Sequence, residues 1–158
     1  MTYIVIPNYY RLMKVLFILL CLGWLVASSP AAAQQTRINH IAFTVKDLGK
    51  SSRFYRQVLQ LDTIPNPFND AIHLWLNIGG GASLHLIQGT RIPVSIKDTH
   101  ICFSVSSVEA LAEKLSRAGI AFESWTGEKG QWTNRADGVK QIYLQDPDGY
   151  WLEVNDQQ

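Results

Sequence analysis

The residues able to do chemistry in this chain are few and mostly of one kind. There are four histidines, at 40, 73, 85 and 100, each inside a stretch where apolar residues alternate with polar or small ones. His40-Ile41-Ala42-Phe43-Thr44-Val45 and His100-Ile101-Cys102-Phe103-Ser104-Val105 match at His, Ile, Phe and Val, and elsewhere differ only as Ala/Cys and Thr/Ser. Such alternation marks a half-buried strand, with Ile, Phe and Val on one side and His with the small residues on the other. The same rule sorts the later stretches. Leu84 and Leu86 turn His85 away from the core; Leu152 and Val154 turn Trp151, Glu153 and Asn155. Ile142 and Leu144 turn Gln141 and Tyr143, and the apolar residues of 72–78 turn His73 and Trp75.

All the histidines and Glu153 are thereby assigned to one concave surface. A carboxylate withdrawn from water is costly unless paired or metal-bound, and Lys140 is the one basic residue of these strands that could turn inward. Imidazole with carboxylate is a ligand set for Zn, Ni, Fe or Mn. A lone strand histidine is more often an ordinary hydrogen-bonded residue, so the repeat carries the argument. It relates His40 to His100, and it places His85 in the first half where Glu153 stands in the second. The expected metal ligands are His40, His85, His100 and Glu153. Thr44, His73, Trp75, Gln141, Tyr143 and Trp151 are expected to line a substrate pocket.

The elements that must hold these residues follow from pattern. A helix is predicted over Ser51 to Leu59, with Phe54, Tyr55, Val58 and Leu59 at helical spacing. A second should start at Ser106 as N-cap, with Glu109 reaching back, a Val108, Leu111, Ala112, Leu115 stripe and Gly119 just past its end. Strands are expected at 61–64, 72–78 and 82–88, the last two joined by Gly79-Gly80-Gly81, and again at 121–125, 140–145 and 150–155. Asp146-Pro147-Asp148-Gly149 reads as a type I turn. Residues 126–139 read as a polar loop over the site, and 91–97 as a linker. The result is an α+β fold of two β-α-β-β-β modules, at about 37–90 and 98–156, cupped around a metal site.

Composition narrows the function classes. Fourteen basic residues against thirteen acidic ones give a net charge of +1, so nothing favours nucleic acid as a partner. At 47% hydrophobic the chain can bury a core. Arg11 and Lys14 precede an apolar run from Val15 to Val26 that ends in Ala31-Ala32-Ala33. That is the pattern of a signal peptide over 1–33, with Met13 as an alternative start. The run is shorter than the roughly 20 residues that span a bilayer. The mature domain would be 34–158, periplasmic or secreted, with no membrane contact after cleavage. Loss of Cys21 would leave Cys102 alone, so no intrachain disulfide could form.

Asn39-His40-Ile41, Val45-Lys46-Asp47-Leu48, Phe54-Tyr55, and Asp146-Pro147-Asp148-Gly149 four residues before Glu153 together resemble the vicinal oxygen chelate superfamily. That group includes glyoxalase I, extradiol dioxygenases, fosfomycin-inactivating enzymes and bleomycin-resistance proteins. The resemblance implies a divalent metal held at the first and last strand of each half, and a small-molecule substrate bound through adjacent oxygens. It also implies that Glu153, or His85 where relatives carry a carboxylate, moves the proton. A homodimer is compatible with it. The leading expectation is a glyoxalase-like lyase or isomerase. The alternatives are a ring-cleaving extradiol-type dioxygenase and a bleomycin-resistance-like binding protein without catalysis.

Overall fold

The computed structural model describes residues 9–10, 12–18 and 36–157. The chain divides into two units between Arg37 and Ile38. In the first, 12–18 is helical; among the described residues no helix is long and apolar enough to cross a membrane. Cys21 and the expected cleavage point after Ala33 lie outside the described residues.

The second unit runs β1 (His40–Val45), α1 (Leu48–Val58), β2 (Thr63–Ile64), β3 (His73–Gly79), β4 (Ala82–Gln88), and then repeats itself. The repeat is β5 (Ile101–Ser104), α2 (Val108–Arg117), β6 (Thr133–Asn134), β7 (Lys140–Gln145) and β8 (Trp151–Asn155). The two four-stranded sheets have the orders β1-β4-β3-β2 and β5-β8-β7-β6. In each, the first strand pairs parallel with the last and the other pairings are antiparallel. This is the α+β, two-module architecture that the repeat implies.

Local chemistry explains where the elements begin and end. Helix α1 starts earlier than Ser51 because the Asp47 carboxylate caps it, accepting from Lys50 N at 2.8 Å. The N-cap of α2 is Ser107, not Ser106, and its hydroxyl accepts from Ala110 N at 3.1 Å. Glu109 therefore makes no capping box; it pairs with Lys140. That pairing also puts Lys140 on the helix side of the sheet. Gly119, at φ +66, ends α2 as expected, with Ile120 N donating back to Leu115 O.

Two strand expectations need correction. The stretch 61–64 is extended in the sheet only at Thr63–Ile64. The stretch 121–125 is no strand; Glu123 makes isolated bridges to Lys129 and Tyr143. Gly127 and Gly130, both at positive φ, fold the chain back there, and Gly130 N donates to Phe122 O. The edge of the second sheet is taken instead by Thr133–Asn134, inside the segment expected to be loop.

Leu76, Leu84, Leu86, Ile142, Leu144, Leu152 and Val154 are buried in one cluster with Tyr55, Val58, Leu111 and Leu115 from the helices. Each such side chain contributes roughly 1.5–3 kcal/mol on burial. The modules are also joined by polar contacts at the Asp146–Gly149 turn. Tyr55 Oη donates to Asp146 Oδ2 at 2.8 Å, while Ser51 Oγ and Lys46 N donate to the two Asp148 oxygens at 2.9 Å. Phe43 stacks on Tyr150 at 4.0 Å. The turn that launches β8, and hence Glu153, is thereby fastened to the first module.

Candidate metal centre

Register decides which side chains share a face. In the first sheet His85 lies opposite Trp75 on β3 and Ala42 on β1, with His73 opposite Ile87. In the second, Glu153 lies opposite Tyr143 on β7 and Cys102 on β5. Alternation thus groups the same side chains that share a face within each sheet, but the faces belong to two separate sheets and not to the one concave surface expected.

Glu153 is buried and receives four side-chain contacts. Cys102 Sγ and Asn155 Nδ2 approach Oε1 at 3.3 and 3.1 Å. Tyr143 Oη donates to Oε2, and His100 Nε2 lies 3.1 Å from that same oxygen. Gln141 Nε2 supports the Tyr143 hydroxyl at 3.1 Å. Burial pushes the Glu153 carboxyl up, but the hydrogen bonds from Tyr143, Cys102 and Asn155 and the charge of His100 outweigh it and hold it below its ordinary value. Burial and then the Glu153 carboxylate push the Cys102 thiol up to about 12. The same causes raise the Tyr143 phenol well above its usual range.

The other side of His100 fixes its proton. Nδ1 lies 2.6 Å from the Lys97 carbonyl, which can only accept, so Nδ1 carries a hydrogen. Without a further proton, Nε2 presents a lone pair to a carboxylate oxygen. Two acceptors at this distance need a proton or a cation between them.

His40 is held the same way, its Nδ1 2.8 Å from Asn39 Oδ1, and His73 Nδ1 lies 2.8 Å from Asp70 Oδ2. An oxygen acceptor on Nδ1 that leaves Nε2 free is the usual support for a metal-ligating imidazole. His85 differs: it is 6% exposed, stacked on Trp75 at 3.8 Å, and its buried Nε2 has no partner. Burial first, then the nearby His73 and His40, hold its pKa below the ordinary value. A buried imidazole nitrogen without a partner fits a cation in the tautomer that carries its hydrogen on Nδ1. The donor set as a whole suits a divalent ion.

The structure brings these residues together in pairs. His40 and His85 are neighbours, with ring centroids 6.0 Å apart, on the first sheet; His100 and Glu153 are neighbours on the second. Among the described residues of one chain, no group of three or more candidate ligands is gathered at a single point. A cleft of about 660 Å³ near the linker touches His100 but not His40, His85 or Glu153. Of the pocket residues, Trp75 and His73 flank His85, while Gln141 and Tyr143 hold Glu153. Trp151 lies by the Lys97 ammonium, 5.0 Å from its ring centroid, and the Thr44 carbonyl accepts from Tyr150 Oη.

Six contributors were not assigned roles from sequence: Asn39, Phe68, Asp70, Lys97, Cys102 and Asn155. Asp70 had a readable signal, three residues before His73. Lys97 had none, because it acts on His100 through its backbone carbonyl.

A profile of the "Glyoxalase/Bleomycin resistance protein/Dioxygenase superfamily" matches residues 37–154. The chain belongs to that superfamily. Among its relatives is "Glyoxylase I 4" of Arabidopsis thaliana, 29% identical over 130 residues that span 75% of this chain and 70% of that protein. Another is the "Metallothiol transferase FosB" of Staphylococcus epidermidis, 30% identical over 76% of this chain and 81% of that protein. Among solved structures, "Oxidase ChaP-H2" superposes with a TM-score of 0.66 at 22% identity, over 79% of this chain and 96% of that one. The fosfomycin resistance protein FosX of Listeria monocytogenes superposes at 0.63 with 20% identity, over 79% and 96%. These two likenesses establish the fold.

Proposed function

We propose that the domain is a divalent-metal-dependent lyase or isomerase of the glyoxalase type, acting on a small oxygenated compound through His40, His85, His100 and Glu153. The observation that supports this reading is the His100–Glu153 contact, where a ring nitrogen and a carboxylate oxygen converge at 3.1 Å, a gap closed by a proton that a divalent ion can replace. Zn, Ni, Fe or Mn accept such a set. The ion would supply Lewis-acid stabilisation of negative charge on a substrate oxygen. Relatives named as a glyoxylase and a metallothiol transferase support the metal and the small-molecule substrate class.

The side chains divide the remaining work. Glu153 is the anionic group that can accept a proton from carbon next to a carbonyl. Tyr143, Asn155 and Cys102 aim it, at the expense of its basicity. His85 is kept neutral, so its Nε2 holds either the ion or a proton, never both at once. The rings of Trp75, His73 and the exposed Phe68 surround His85 with flat faces.

The ligand pairs stand on separate sheets, so the reading includes a second copy of the chain. Strands β1 and β5 are both outer strands, each with one edge unpaired by the sheet order. A homodimer that brings His40 and His85 of one chain to His100 and Glu153 of the other completes the set. The N-terminal pattern supports a periplasmic or secreted domain; N-terminal sequencing of the exported protein checks it.

Metal analysis of protein purified without added metal tests the reaction class. Zinc or nickel at about one per chain supports the lyase or isomerase. Redox-active iron with uptake of O₂ would move the reading to a ring-cleaving dioxygenase. Tight binding of small aromatics with no metal retained under any loading would make this a binding protein.

A further inference from the structure

Among the described residues, two buried side-chain nitrogens have no hydrogen-bond partner: His85 Nε2 and Trp75 Nε1. Buried polar atoms are so regularly paired that each exception calls for a reason. The two lie side by side, since Trp75 and His85 are opposed across β3 and β4 and their rings stack at 3.8 Å and 11°. A cation accounts for His85 Nε2 in the tautomer with its hydrogen on Nδ1. It cannot account for Trp75, because an indole N–H is a donor and never a ligand.

The missing partner of Trp75 must be an acceptor, and no side chain or backbone oxygen beside it serves as one. His40 presents its ring to Trp75 at 5.3 Å with its Nδ1 engaged by Asn39, and its Nε2, like that of His85, is committed to the ion in the reading above. Asp70 is taken up by His73, Ile72 and Asn66. Phe68, 6.4 Å away, has nothing to offer but its face. We infer that the Trp75 indole N–H is a substrate-binding donor, paired with a carbonyl-type oxygen of the substrate beside the ion-holding nitrogen of His85.

This assignment rests on the metal reading above, and it sharpens the substrate class. Strands β1–β4 contain no Lys or Arg, so the oxygen met by Trp75 is met by a neutral donor. That suits a carbonyl, or an oxygen that gains charge only during reaction, and disfavours a phosphate ester, which would call for a cationic side chain. With the flat faces of His73 and Phe68 close by, the substrate is a small unphosphorylated carbonyl compound with a planar group next to its oxygens. Trp75 would also discriminate: an analogue lacking that oxygen leaves a buried donor unpaired and is rejected.

The test uses ¹⁵N-labelled protein, with the Trp75 indole signal identified by its loss in Trp75→Phe. Zinc is added first, then acetohydroxamate as a planar two-oxygen probe, with inorganic phosphate as control. Zinc should move the histidine ring signals. Acetohydroxamate should then move the Trp75 indole proton downfield and slow its exchange with water, while phosphate leaves it in place. Trp75→Phe, which keeps a stacking ring, should bind zinc as tightly as the wild type and acetohydroxamate about tenfold more weakly, the cost of one lost hydrogen bond. The inference is overturned if acetohydroxamate binds without moving the Trp75 signal, or if both proteins bind it equally. If zinc leaves the histidines unmoved, the metal reading fails first and takes this one with it.

Discussion

His100 Nε2 and Glu153 Oε2 lie 3.1 Å apart while each is already engaged elsewhere, the ring by the Lys97 carbonyl and the carboxylate by Tyr143. In metal-free protein a proton must occupy the gap. A divalent ion entering the site displaces it. Zinc titration of unbuffered protein at constant pH should therefore release about one proton per ion bound, and apparent affinity should rise with pH. Metal uptake without proton release would show that no proton closes the pair.

The Tyr143 hydroxyl is the positioning group behind Glu153. Tyr143→Phe leaves the aromatic ring in the sheet and removes one donor from the carboxylate. Loss of such an outer hydrogen bond typically costs about 10- to 100-fold in metal affinity. Zinc affinity measured by competition with a chelator should fall within that range, with little change in melting temperature. An unchanged affinity would mean that Asn155 and Cys102 hold Glu153 without it.

The Cys102 thiol, pushed up to about 12, should be nearly inert at neutral pH although the residue is exposed. Against an ordinary thiol of pKa ~8.5, its thiolate fraction at pH 8 is lower by on the order of a thousandfold. Alkylation by iodoacetamide should be slow in proportion. Glu153→Gln removes the carboxylate that opposes ionisation, so alkylation should accelerate; equal rates in the two proteins would leave burial as the whole cause.

How much of this was legible in the sequence depends on where each residue's partner lies. Strand faces were legible, because a period of two in 82–88 and 151–155 is a local property and turns His85 and Glu153 away from the leucine and valine core, each on its own sheet. Cap positions slipped by one where two serines competed, Ser106 and Ser107; Ser107 both caps Ala110 N and donates to Glu109, contacts that the pattern alone does not rank. The failed strand at 121–125 has the right residues but is bent away by Gly127 and Gly130. The support of His100 by a backbone carbonyl has no sequence signature. Pairing of the ligands into two separate halves was also out of reach, because alternation fixes a face and says nothing about the distance between two sheets.

The Asp146–Tyr55 hydrogen bond joins the modules through a buried carboxylate. Burial pushes Asp146 above its ordinary value, against hydrogen bonds from Tyr55 and two backbone amides. Its folded pKa thus exceeds its unfolded value of about 3.9. In that window the folded state binds more protons, so this group's contribution to stability falls as pH rises. Denaturation of wild type and Asp146→Asn between pH 3 and pH 7 should show the difference between them shifting in favour of the Asn protein toward higher pH. Tyr55→Phe should cost about 1–3 kcal/mol by leaving a buried acceptor short of a donor. A wild-type curve parallel to that of Asp146→Asn would show that Asp146 has the same pKa folded and unfolded.

The separation of His40 and His85 from His100 and Glu153 makes a stoichiometric prediction. A chain carrying His40→Ala and His85→Ala retains only the second-module pair; a chain carrying His100→Ala and Glu153→Gln retains only the first. Each alone should bind zinc weakly. If the site forms between copies, a mixed dimer has one site with all ligands intact and one with none. Random mixing makes half of all dimers mixed, so tight zinc binding should return to about a quarter of the wild-type amount after co-refolding. Sites built within single chains would show no return at any mixing ratio. Sedimentation of the mixed sample, with one chain tagged, confirms that mixed dimers formed and that a null result reflects the site and not the exchange.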